Sequence, residues 1–178
     1  MGEVFKKESV KNSNLEYGPS KIISLANLYY KNDLDNVPSD SYMKTYNKFK
    51  VGDIAFEGHM NKNYKYGRFV ANTLGDGVIS HVFEVYRTKL PFDINYLGEF
   101  INYEPIMGRI LRRTTKSATM MTSLVSLDFL KETVQLPTLP EQQKIGQLFK
   151  HLDTCISNEQ SKIEQLKAQK QGLLQRML

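Results

Sequence analysis

The sequence has a single cysteine, Cys155, which excludes an internal disulfide and any CxxC metal site. No apolar run approaches the roughly 20 residues that a membrane span needs. Met1-Gly2-Glu3-Val4-Phe5-Lys6-Lys7 lacks the apolar core of a signal peptide, so export is not expected and a bacterial-type cytoplasm is. Catalytic patterns are missing too. There is no G-x-x-x-x-G-K-[ST] loop for nucleotide phosphates and no Asn- or Asp-Pro-Pro-aromatic motif of adenine methyltransferases. No acidic residue is followed two positions later by lysine, so the nuclease E-x-K pattern is absent. His59, His81 and His151 lack metal-ligand spacing and read as structural residues on or beside strands and on a helix. Cys155 reads as a partly buried helix residue. These absences argue against an enzyme, and no cofactor is expected on the chain.

What is present is focused positive charge. The formal net charge is +5. Residues 41–70 carry Lys44, Lys48, Lys50, Lys62, Lys65 and Arg68 against Asp53 and Glu57. Residues 105–127 carry Arg109, Arg112, Arg113 and Lys116 against no acid. Nucleic-acid binding needs cations for phosphates and flat hydrogen-bonding side chains for base edges. Asn61-Lys62-Asn63-Tyr64-Lys65-Tyr66-Gly67-Arg68 offers both, since Asn can pair with adenine and Arg with guanine. The plainer alternative is a solvated polar hairpin loop. Arg109, Arg112, Arg113 and Lys116, with Thr114, Thr115, Ser117 and Thr119, form a second candidate. Those arginines are equally compatible with an exposed helix face.

Pro137-Thr138-Leu139-Pro140 separates two regions, 1–137 and 138–178. The first is expected to be one α+β domain. Lys21–Ala26, Val51–Glu57, Arg68–Ala71 and Gly77–Thr88 are β-rich, the last alternating over its whole length. Gly75-Asp76-Gly77 reads as the turn joining that strand to the one before, and Gly52, Gly67 and Gly75 as turn glycines. Asp93 is placed to cap a helix with Ile94, Leu97, Phe100 and Ile101 on one face. A second helix is expected from Pro105 toward Arg113, and a third, capped by Ser126, over Leu127–Glu132.

Thr138-Leu139-Pro140-Glu141 reads as a capping box opening one long helix. Ile145, Phe149, Leu152, Ile156, Glu159, Ile163, Leu166, Lys170, Leu173 and Met177 then follow at alternating spacings of four and three. A period of about 3.5 residues sustained this long marks a coiled-coil seam. Residues 140–178 would span ~58 Å at about 1.5 Å per residue, more than a small domain covers. In a parallel homodimer, Glu159 and Lys170 would each face their own copy. In an antiparallel one, Glu159 meets Lys170, and the same register pairs Ile163 with Leu166, Ile156 with Leu173 and Leu152 with Met177. The expectation is an antiparallel homodimer centred near residues 164–165; the alternative is a helix folded back on its own domain.

Leu136-Pro137-Thr138-Leu139-Pro140-Glu141-Gln142-Gln143-Lys144-Ile145-Gly146, Leu148-Phe149-Lys150-His151-Leu152-Asp153 and Leu166-Lys167-Ala168-Gln169-Lys170-Gln171-Gly172-Leu173-Leu174-Gln175 resemble the conserved region of type I restriction–modification specificity subunits. Val51–Gly58, Tyr66–Val70, Gly75–Ser80, Thr114-Thr115-Lys116 and Met120-Met121 are similar to one class of that family's target recognition domains. The resemblance implies a non-catalytic subunit that reads half of a bipartite double-stranded DNA site. It also implies modification and restriction subunits as partners, with S-adenosylmethionine and ATP bound only by them. Arg109, Arg112 and Arg113 then have a further possible role, beside the modification subunit. Full subunits of the family carry two recognition domains and two helical regions; this chain has one of each. It is either a natural half-subunit or a piece of a longer one, and an antiparallel dimer would restore the pair over a palindromic site. The rival from another class is a helical docking scaffold with no DNA affinity of its own.

Overall fold

Alternating side chains build a central sheet that is covered on both faces. The computed structural model describes residues 1–8, 10–31, 37–117 and 121–176. Strand β1 (Phe5–Glu8) is followed by the short hairpin β2 (Ile23–Ser24) and β3 (Tyr29–Tyr30). One helical turn, α1 (Asp40–Met43), precedes β4 (Asn47–Phe49), β5 (Ile54–Glu57), β6 (Arg68–Ala71), β7 (Gly77–Ile79) and β8 (Val85–Thr88). Helices α2 (Ile94–Phe100) and α3 (Glu104–Thr114) lead into the hairpin β9 (Thr115–Ser117) and β10 (Thr122–Leu124). Helix α4 (Ser126–Lys131) and the long α5 (Leu139–Arg176) end the fold. The chain is α+β, as its sequence indicates.

The central sheet runs β1-β8-β5-β6, antiparallel throughout. The two-residue period of a strand sends Phe5, Ile54, Phe56, Phe69, Ala71 and Tyr86 to one face, under α2, α3 and α4. Ala55, Val70 and Val85 go to the other, against Ile23, Phe49 and Ile79 of the smaller ladders. Phe129 of α4 is fully buried, 4.8 Å from the Phe69 ring and 5.3 Å from Tyr86 between centroids. Each such side chain contributes roughly 1.5–3 kcal/mol by leaving water. Tyr86 keeps its hydroxyl paired, donating to Glu84 at 2.8 Å and lying 2.8 Å from the Ser126 hydroxyl. Buried Asp53 accepts both arms of the Arg87 guanidinium, at 2.8 and 2.9 Å, which satisfies its charge.

Several sequence expectations hold residue for residue. Arg68–Ala71 is a strand, and Asp93 accepts a 2.9 Å hydrogen bond from the Tyr96 amide to open α2. Others need correction. Gly77–Thr88 is not one strand: the chain turns at Ser80, whose carbonyl accepts from the Phe83 amide at 3.1 Å. The halves join different ladders, β7 with β4 and β8 with β5 and β1, so Gly75-Asp76-Gly77 closes no hairpin with β6. The alternation survives the break, which is why pattern alone missed it. Ser126 is inside α4 and caps nothing; its hydroxyl donates to Glu84 at 2.7 Å instead. Cys155 is exposed rather than partly buried.

Helix α5 is 38 residues long, about 57 Å at roughly 1.5 Å per residue. The Glu141 carboxylate accepts from the Thr138 amide at 2.8 Å and from its hydroxyl at 2.7 Å, the reciprocal half of a capping box. Only the first turns touch the body. Buried Gln142 accepts from the Asp93 amide at 3.3 Å and donates to the Pro137 carbonyl at 3.0 Å. At Gly146 a Cβ would stand 2.1 Å from the Asp93 carboxylate, so glycine is what lets α5 lie against α2.

Candidate nucleic-acid interface and helix seam

The loop between β5 and β6 and the hairpin β9–β10 lie side by side. Glu57 and Arg68 face each other at the last rung before the loop and pair at 2.7 Å. Beyond them the loop orders itself. The Asn61 amide oxygen accepts from the Asn63 amide at 2.9 Å and the Tyr64 amide at 3.0 Å, an Asx turn. The hairpin is joined to the neck: the Thr122 amide donates to the Gly58 carbonyl at 2.8 Å, and His59 bridges to Met121. Sequence reasoning did not single out Thr122, because nothing local distinguishes it from the other threonines nearby.

The candidate DNA residues divide on this geometry. Lys62, Asn63 and Lys65 are exposed at the loop tip, and Lys116 is exposed on β9 opposite Ser123. Arg109 and Arg112 are exposed on α3. None of the five cations among these makes an ion pair among the described residues. Asn61 spends its amide oxygen on the Asx turn. Arg68 is committed inward: besides Glu57 it donates to the Ala26 carbonyl at 2.7 Å, and its guanidinium lies 5.3 Å from the Tyr64 ring centre. Its position across from Glu57, just outside the loop, was the signal for that pairing. Arg113 is forked onto Glu132, with Nε at 2.9 Å from one oxygen. The hydrogen bond to that carboxylate raises the Arg113 pKa, and the same bond lowers that of Glu132. Thr119, Met120 and Met177 fall outside the described residues.

The seam of α5 is uncovered. Phe149 is 37 % exposed, Leu152 46 %, Ile156 55 %, Ile163 50 %, Leu166 64 % and Leu173 62 %, which rules out a helix folded back on its own body. Glu159 and Lys170 are exposed in the same row, Glu159 pairing with Lys162 one turn on at 2.6 Å. At the base, Phe149 and Ile145 border an apolar groove of about 520 Å³ with Tyr96, Phe100 and Tyr103.

Among the described residues no group of three or more His, Cys, Asp or Glu is placed to hold a metal ion, and no helix is long and apolar enough to cross a membrane. No protein-family model matches the chain, and no curated protein gives a significant match. The resemblance to type I specificity subunits therefore rests on the residues quoted for it.

Proposed function

We propose that the chain is a sequence-specific DNA-recognition subunit of the type I restriction–modification kind, non-catalytic itself and working as an antiparallel homodimer. The observation that carries this reading is the bare seam: a 38-residue helix whose apolar row, from Leu152 to Leu173, is exposed among the described residues. Residues 1–137 act as the reading head, and residues 138–178 as the arm that pairs with its copy. Lys62, Lys65, Arg109, Arg112 and Lys116 supply phosphate contacts, and Asn63 is the exposed amide suited to a base edge. Modification and restriction subunits join this frame and bring S-adenosylmethionine and ATP with them.

A second reading has its own support. Arg68 and Arg113 are spent on Glu57 and Glu132, which removes two cations from the surface and favours a docking scaffold without DNA affinity. Duplex binding measured across a salt series separates the two. DNA recognition predicts a logarithm of affinity that falls linearly with log salt and a preference for particular duplexes. Binding that shows no preference among duplexes, with or without salt dependence, overturns the first reading.

A further inference from the structure

Thr122 does more than link two strands. The residue is 4 % exposed, and its hydroxyl lies 3.3 Å from the Gly58 carbonyl and 3.0 Å from the Tyr66 carbonyl. Those two carbonyls stand at the opposite ends of the loop; the hydroxyl, with its one proton, donates to the nearer, Tyr66, while the Thr122 amide holds Gly58 at 2.8 Å, so one residue clasps both. The neck admits nothing larger. A Cβ at Gly58 would fall 2.0 Å from the Thr122 carbonyl oxygen. Gly67 has φ +76°, and a Cβ there would fall 2.7 Å from the Glu57 carbonyl oxygen. The segment between is ordered through backbone groups, Asn61, the Tyr64 ring beside Arg68 and Tyr66 packed on the core, while Lys62, Asn63 and Lys65 stay exposed.

We propose that Thr122 is a positioning residue for DNA specificity: its hydroxyl clasp fixes the β5–β6 loop against the β9–β10 hairpin, so that Asn63 and its neighbours meet base edges in one orientation. This rests on the DNA reading above. Phosphate contacts tolerate a loose loop, because long lysine side chains follow the charge. Base contacts do not, because paired hydrogen bonds fail when the donor and acceptor shift. Losing the clasp therefore costs discrimination and spares the electrostatic part of binding.

The test uses the full chain, a duplex selected from a pool randomised in both half-sites, and a random-sequence duplex. For Thr122→Val, the affinity ratio of selected to random duplex falls about tenfold, while the slope of log affinity against log salt stays at the wild-type value. Thr122→Ser, which keeps the hydroxyl, holds the ratio within about threefold of wild type. Thr122→Ala serves as a second deletion, and amide exchange at residues 61–65, faster in both deletions, reports the loop directly. An unchanged ratio in the folded deletion variants, or a serine variant as impaired as valine, overturns the proposal. A wild-type chain that prefers no duplex overturns the DNA reading, and unchanged exchange in both deletions then overturns the clasp independently.

Discussion

At the scale of single residues, charge on the surface and charge at work are different things. Lys62 and Arg68 sit six positions apart and look alike in composition, yet one is exposed and the other is bound to Glu57 and a backbone carbonyl. Lys62→Ala should lower the slope of log affinity against log salt by about one unit with unfolding free energy unchanged. Arg68→Ala should do the reverse. It strands a half-buried carboxylate and costs about 1–3 kcal/mol in urea denaturation, with little change in slope. A matching loss of slope in the two variants would contradict the assignment. Much of this was readable beforehand. The loop and its cations follow from alternating strands on either side, whereas Arg68 read as a DNA contact rather than as the partner of Glu57. The Thr122 clasp and the Arg113–Glu132 fork were not readable, because both join segments whose approach is set by tertiary packing.

At the scale of elements, α5 was the most legible and the sheet the least. A heptad row persists through any context, whereas a two-residue alternation says nothing of where a strand stops or what it pairs with. Hence Gly77–Thr88 read as one strand though its halves belong to different ladders. The α5 seam carries its own prediction. Glu159→Lys places like charges opposite one another in the antiparallel register and should weaken the dimer by about tenfold or more in dissociation constant. Adding Lys170→Glu restores the opposite-charge pair and should recover most of the loss, as measured by sedimentation. A cysteine at 159 that crosslinks to the same position in the other copy would instead indicate parallel helices.

For the whole molecule, the proposed dimer turns on how two heads would be held apart. Light scattering on the chain alone should give about twice its 20.5 kDa. A dimer with this register places the two bodies at opposite ends of the paired helices, and its two-fold symmetry calls for a palindromic bipartite site with equal protection of both halves. A strict monomer at micromolar concentration would remove the homodimer. The rigid joint matters here. Gln142 and Gly146 seat α5 on α2 through a part-buried hydrogen bond at its Asp93 cap and close contact there, so the angle between head and arm is set by packing.

The neck of the β5–β6 loop has one more consequence. Thr122 grips it by the carbonyls of Gly58 and Tyr66, groups that every residue type possesses. The holder is thus indifferent to the lettering it holds. On the DNA reading, codons for positions 62, 63 and 65 are free to drift without renegotiating the core, while Gly58, Asn61, Gly67 and Thr122 stay under constraint. A lineage of such chains would keep one frame and exchange its text, acquiring new targets by a few substitutions in a replaceable cartridge.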